Sequence, residues 1–197
     1  MKNILTLMVS SLILTFVFAN CNVEPEDPVL LYESEMNGGW IAFTQNRFDE
    51  AYFRFHQAID VDSTKAEAFS GLGWVLFKQD SLSKAIEMFM AAELMITPDA
   101  SLFAGHAFAL NAIKNFPSSN QMADFALETD SLWYFPFITS LDFNDLIVLK
   151  AENFFMLGSF AQSLREVNKI NPDFKPSLTT PTGIAALANE IEKLKRY

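Results

Sequence analysis

The sequence predicts an all-α protein built from stacked helical hairpins, and two observations support this prediction. The first is an internal repeat, because Ala51 and Ala85, and likewise Phe55 and Phe89, stand 34 residues apart. The second is a set of helix-start signals that divide the chain at the same period. One hairpin cannot bury its own apolar face, so several copies must stack. With 50% hydrophobic residues and 20 Phe, the chain has the side chains for that core.

The 34-residue spacing extends on both sides of these positions. Gly39 and Gly73 are also 34 residues apart, as are Trp40 and Trp74. Two helices cross at close range only where small residues lie at their contact, so the recurring small residues are expected at the crossings. These residues are Gly39, Ala51, Ala58, Gly73, Ala85, Ala92 and Ala126.

Helix-start signals agree with this division. Residues 64–67 fit a capping box, and Thr97 precedes a proline suited to the first helical turn. The predicted copies cover about 32–65, 66–99 and 100–133, and a degenerate fourth covers 144–172. An aromatic insertion at residues 133–137 separates the third copy from the fourth, and we expect it to pack over their junction.

A period of 34 with small residues at these offsets resembles the tetratricopeptide repeat. The copy at residues 66–99 carries the resemblance best, through Phe69, Leu72, Gly73, Leu76, Leu82, Ala85, Phe89, Ala92 and Pro98. The resemblance implies a right-handed α-solenoid of about four hairpins over residues 32–179. A last helix at 180–197, opened by Thr180 and Pro181, is expected to cap the final apolar face.

The chain shows none of the motifs that accompany catalysis. No His and carboxylate cluster has metal-ligand spacing, and no phosphate-binding glycine loop or nucleophile elbow occurs. His106 stands where this repeat family usually has a buried Leu, and His56 is expected at the surface of a second helix. The net charge of −10 argues against a nucleic acid partner. The sequence therefore predicts a protein that is not an enzyme and binds no metal or cofactor.

Residues 1–20 have the pattern of an export signal. Lys2 precedes an apolar run over residues 4–19 that is too short for a membrane span. The run ends at Cys21, the only cysteine of the chain, and this arrangement resembles the lipobox of bacterial lipoproteins. That motif favours Leu where Phe18 stands, and Gly, Ala or Ser where Asn20 stands. The alternative is an ordinary signal peptide followed by an unmodified cysteine.

The lipobox resemblance implies that Cys21 carries acyl chains and becomes the mature N-terminus. Two or three chains on one residue would hold the protein stably, with membrane contact through the lipid alone. Residues 21–31 would then form an acidic tether. We expect a lipid-anchored protein of the bacterial cell envelope, at the outer membrane and facing the periplasm or the cell surface.

In the tetratricopeptide family the first helix of each hairpin lines a concave groove. The ninth and twelfth positions of the repeat share a helix face. The four predicted copies together have eight such positions, and six of them are aromatic. They are Trp40, Phe43, Trp74, Phe77, Phe108 and Phe155. The resemblance thus implies a continuous aromatic strip that binds a partner. The alternatives are that the same rings form part of the core or that the C-terminal helix covers them.

Two classes of partner fit such a strip. The first is a peptide or helix of another envelope protein. The second is a glycan or other small ligand stacked on Trp40 and Trp74. Sugar sites need polar groups beside the rings, and the strip offers few, namely Thr44, Lys78 and Asn111. This scarcity favours a protein partner, while the oligomeric state is left open by the sequence.

Overall fold

The computed structural model describes residues 27–138 and 140–196, and within these ranges it contains nine α-helices and no β-strand. None of the described helices is long and apolar enough to cross a membrane. The predicted signal peptide and Cys21 lie outside the described residues. The helices are α1 Pro28–Thr44, α2 Phe48–Val61, α3 Ala66–Lys78, α4 Leu82–Glu93, α5 Ala100–Ala112, α6 Phe116–Thr129, α7 Phe143–Met156, α8 Phe160–Ile170 and α9 Pro181–Leu194.

Consecutive helices form four hairpins, α1–α2, α3–α4, α5–α6 and α7–α8, and α9 packs on the last of them. Every hairpin has the same turn, in which one residue has a positive φ: Asn46, Asp80, Lys114 and Gly158, with φ between 58° and 71°. The next amide in each turn donates to the carbonyl five residues back, at 2.8–2.9 Å. This hydrogen bond satisfies a carbonyl at the end of the first helix. The repeat is therefore regular in its backbone as well as in its side chains.

Inside the first three hairpins, two phenylalanine rings are held between glycines. A methyl group added at Gly39 or at Gly71 would lie 2.7 or 2.6 Å from a ring atom of Phe55. A methyl group added at Gly73 or at Gly105 would likewise lie 2.6 Å from a ring atom of Phe89. Because both rings are fully buried, only hydrogen fits at these four positions. Each ring thus joins its own hairpin to the next one along the array.

The remaining small residues predicted at the helix crossings are also inaccessible to solvent. Every one of them has an exposed fraction of 0%: Ala51, Ala58, Ala85, Ala92 and Ala126. Since no other side chain would leave the helix backbones at this distance, these positions set how closely the paired helices approach.

The apolar side chains form two separate clusters. The larger one extends through the first three hairpins to Leu149, and the smaller one joins α7, α8 and α9 through Val148, Val167 and Leu187. Between them lies a buried polar junction centred on Asn153. Its amide nitrogen donates to Ser119 Oγ and Asn120 Oδ1, both at 2.9 Å, and its oxygen accepts from Asn111 Nδ2 at 2.7 Å. Hairpins three and four are thus joined partly through hydrogen bonds.

The C-terminal helix does not enter the groove formed by the first three hairpins. It packs on α7 and α8, where Leu187 and Ile191 complete the smaller cluster. After its end, Arg196 contacts the carboxylates of Asp142 and Asp145 at 2.7 and 2.9 Å. The guanidinium thereby fixes the chain terminus to the start of α7.

Candidate functional site

The first helices of the hairpins, α1, α3, α5 and α7, lie side by side and bear all six aromatic residues of the predicted strip. Trp74, Phe43 and Phe108 are buried, with exposed fractions of 1, 3 and 5%. Trp40 and Phe77 are half-buried. These rings therefore do not form an open surface, and the alternative that the rings belong to the core holds for Trp74, Phe43 and Phe108.

The segment that covers them is the α6–α7 loop, of which residues 130–138 and 140–142 are described. The Phe137 ring lies parallel to Trp40, with centroids 3.9 Å apart and an interplanar angle of 3°. Phe135 stacks on Trp74 at 4.2 Å and 23°. Both contacts have the close parallel arrangement by which aromatic rings attract each other. The loop thus occupies the centre of the concave face.

Hydrogen bonds fix the same loop. Trp133 is 2% exposed, and its indole N–H donates to Ser101 Oγ on α5 at 3.0 Å. The Trp74 indole N–H donates to the Ser101 backbone oxygen at 3.1 Å. The Phe135 amide donates to the Leu141 carbonyl at 2.8 Å, which closes the loop on itself. Trp133 contacts α5, Phe135 contacts both α3 and α1, and Phe137 contacts α1. The loop thus crosses the first helices as a closed segment, with a turn at residues 135–138.

This placement corrects the expectation that the insertion packs over the junction between hairpins three and four. The physical reason is the chemistry of the available surfaces. That junction is polar, with Asn111 and Asn153 in contact, whereas α1 and α3 present the rings of Trp40 and Trp74. An aromatic segment gains more by stacking on rings than by covering amides that already have partners.

Phe155 is separate from the other five rings. It packs in the smaller apolar cluster, with its ring 5.2 Å from that of Phe160. At the equivalent repeat positions, α5 has Asn111 and α7 has Glu152 in place of an aromatic residue. The strip is therefore interrupted, and whether any of its six residues contacts a partner stays a prediction.

One part of the concave face remains open. Beside the loop, towards the N-terminal ends of α1, α3 and α5, lies a cavity of about 460 Å³. Met36, Trp40, Phe135 and Phe137 give it apolar walls. Its exposed polar lining residues are Glu33, Asn37, Glu67 and Asp99, and Pro136 is also exposed there. The volume is within the range of pockets that bind ligands in other proteins.

Solved structures with the same architecture are known, although no protein-family model and no curated protein matches the sequence. YrrB, described as a TPR protein with an unusual peptide-binding site, matches with a TM-score of 0.62 at 14% identity, over 86% of this chain and 93% of its own. MamA matches with 0.62 at 15% identity, over 83% and 87%. This is a tetratricopeptide-type fold. The predicted all-α solenoid of four hairpins and a capping helix is confirmed.

A further structure with the tetratricopeptide fold was solved with a peptide bound. It is the second TPR domain of human RPAP3, in complex with an HSP70 peptide. It matches with a TM-score of 0.54 at 14% identity, over 64% of this chain and 98% of its own. At such identities the likeness concerns the fold.

Neither histidine belongs to a reactive cluster within the described part of this tetratricopeptide fold. His106 is buried, its ring stacks on Phe89, and its Nδ1 contacts the Glu93 carboxylate. His56 is exposed, with Nδ1 3.5 Å from Asp60. No group of three or more His, Cys, Asp or Glu side chains in residues 27–138 and 140–196 is placed to hold a metal ion.

Sequence reasoning missed three residues that shape this face. Ser101 receives hydrogen bonds from two indoles, and Gly71 and Gly105 make room for the buried phenylalanine rings. The two glycines had a detectable signal, because they too stand 34 residues apart. Ser101 had none, since its role depends on a tryptophan that is distant in sequence.

Proposed function

We propose that this protein is a non-enzymatic binding scaffold that holds an extended segment of another protein on its concave face. The observation that carries the proposal is the α6–α7 loop itself. It lies across α5, α3 and α1 with the rings of Trp133, Phe135 and Phe137 against these helices, and an antiparallel bridge between Tyr134 and Asp142 closes it. A face that binds a segment of its own chain in this way has the shape and chemistry for a second segment in the open cavity beside it.

The comparisons support a peptide as the ligand. YrrB is described as having a peptide-binding site, and the RPAP3 domain was solved with a peptide bound. The glycan alternative is less well supported by the geometry. Trp74 is 1% exposed and Trp40 stacks on Phe137, so neither tryptophan offers the open ring face on which a sugar would stack.

Site-specific photo-crosslinking in the native cell tests this proposal. A photoreactive amino acid in place of Asn37, an exposed residue of the cavity, is expected to yield a defined protein adduct. The matched control carries the same photoreactive group in place of Glu87, which is exposed on α4. Adducts should form at position 37 and be absent at 87. The proposal fails if both positions give the same adducts, or if the adduct at 37 resists protease and is cleaved only by glycosidases.

The membrane anchor is a second part of the proposal. We propose that Cys21 is acylated and holds the scaffold in the bacterial envelope, at the outer membrane facing the periplasm or the cell surface. The support is the sequence pattern at residues 1–21 and the fact that Cys21 is the only cysteine. The partner would accordingly be another envelope protein.

Cys21→Ala tests the anchor. Wild-type protein grown with an alkyne-bearing fatty acid is expected to be labelled and to sediment with membranes. The variant should lose the label and appear in the soluble fraction, because Cys21 is the only cysteine. Asn22→Ala is the matched control and should be labelled like the wild type. Equal labelling of Cys21→Ala would contradict the anchor.

A further inference from the structure

We infer that the open cavity, between the carboxylates of Glu33 and Glu67 and the ring of Phe137, takes a Lys or Arg side chain of the partner's extended segment. The inference rests on the proposed function and names the chemistry that the concave face recognises. Four observations support it. They are the amphipathic walls of the cavity, the unpaired carboxylates, the Lys65 ammonium at this end of the concave face, and the different charge of the cavity on the opposite side of the loop.

The walls of the cavity match a long cationic side chain. Lys and Arg have an apolar stem and a charged head, and they bury the stem while the head stays solvated. Met36 and Phe135 are buried in the wall, and Trp40 and Phe137 are half-buried there. The carboxylates lie on exposed residues at the opening. A stem would therefore contact the apolar wall while its charge meets the carboxylates at the rim.

The two carboxylates are available for such a contact. Within the described ranges, neither Glu33 nor Glu67 forms an ion pair, whereas the neighbouring Glu35 is paired with Arg54 at 3.1 Å. Asp99 also lines the cavity, but its carboxylate caps α5 by accepting from the Leu102 amide at 2.8 Å. The inference therefore rests on Glu33 and Glu67.

One ammonium group already lies at this end of the concave face. Lys65 places its Nζ 4.0 Å from the ring centroid of Tyr32, a cation–π contact. Tyr32 lines the cavity and is 3% exposed, and its hydroxyl has no hydrogen-bond partner in the part of the chain that the structure describes. Burial, together with the carboxylates of Glu67 and Asp62, raises the pKa of Tyr32. This end of the concave face thus already holds a cationic side chain against an aromatic ring, close to Glu67.

The opposite side of the loop has a different character. A second cavity of about 430 Å³ lies there, lined by residues that include Phe43, Phe48, Lys78 and Phe137 and no Asp or Glu. On that side a cationic side chain meets the like charge of Lys78 and no carboxylate. On the other side the carboxylates of Glu33 and Glu67 outnumber the one nearby ammonium, that of Lys65. The charge distribution therefore favours binding of a basic residue in the cavity at the helix starts over binding in the cavity on the opposite side of the loop.

Peptide binding to the full chain tests the inference. The probes are short fluorescent peptides with blocked ends, in which Phe and Pro alternate with Lys, with Gln or with Glu. Fluorescence anisotropy at low salt is expected to show the Lys peptide binding about tenfold more tightly than the Gln peptide, and the Glu peptide more weakly than both. The double variant Glu33→Gln, Glu67→Gln should reduce the affinity for the Lys peptide to that for the Gln peptide.

The control must separate the cavity from the general attraction of an acidic protein for a basic peptide. Glu87→Gln, Glu128→Gln removes the same charge from two exposed residues outside the cavity and should leave the Lys peptide affinity within about twofold of the wild type. An equal loss in both double variants overturns the inference. Tight and equal binding of the Lys and Gln peptides also overturns it but leaves the proposed scaffold intact. Absence of binding by any peptide, with no adduct at position 37, overturns both.

Discussion

Trp74→Ala is expected to lower the free energy of unfolding by about 3–5 kcal/mol, the usual cost of removing a buried large aromatic side chain. Trp74 is 1% exposed and contacts rings from three other elements, including Phe89 and Phe135. Its indole also loses the hydrogen bond to the Ser101 carbonyl. Chemical denaturation followed by circular dichroism measures the change.

Phe53→Ala is the matched control for this prediction. Phe53 is 58% exposed on α2, so its removal should change stability by no more than about 0.5 kcal/mol. If Trp74→Ala unfolds within about 1 kcal/mol of the wild type, the burial described for Trp74 is wrong. The same result bears on binding assays, because lost binding in a Trp74 variant would report unfolding and would say nothing about a contact with a partner.

Phe135→Ala is expected to cost a similar amount, about 3–5 kcal/mol. Phe135 is 1% exposed and contacts Trp40, Phe43 and Trp74. Its loss leaves a cavity at the centre of the concave face and hydrates both tryptophans. Denaturation should show the loss of stability, and the native tryptophan emission should shift to longer wavelength.

Tyr134→Ala tests whether this effect is specific to the buried side of the loop. Tyr134 is adjacent in sequence but 66% exposed, and its substitution should leave both stability and emission close to the wild type. A double variant of Trp74 and Phe135 is expected to lose about 0.5–1.5 kcal/mol less than the two single variants together, because their stacking can be lost only once. Strict additivity would show that the two rings do not interact in solution.

The hairpins could be predicted from the sequence because their determinants are local and recur. The 34-residue spacing of Ala51 and Ala85 indicates helix crossings, and Thr180 and Pro181 mark the start of α9 as predicted. The predicted start at Thr97 is wrong, because α5 begins at Ala100 with Asp99 as its N-cap. The turn residues Asn46 and Asp80 repeat at the same interval. Each of these signals acts through neighbours in the same hairpin or the next, so a single sequence contains it.

The packing of the α6–α7 loop over the aromatic face could not be predicted in the same way. The position of the α6–α7 loop depends on contacts with α1 and α3, which no local pattern specifies. Two signals were nevertheless available. Trp133, Phe135 and Phe137 bring three aromatic rings together within five residues, which favours a segment that packs on an apolar surface. Asn111 and Glu152 interrupt the strip near hairpin four, which disfavours that end as the surface for an aromatic segment.

The crossing loop also determines how modular this solenoid can be. Repeat arrays usually have only nearest-neighbour contacts, so their terminal repeats fray and copies can be added or deleted. Here Phe137 contacts Trp40 across about 100 residues of sequence, and Phe135 contacts rings on both α1 and α3. Deleting a copy would remove a helix on which one of these rings packs. The first three hairpins are therefore tied into one cooperative unit of fixed length, with a higher contact order than a simple array.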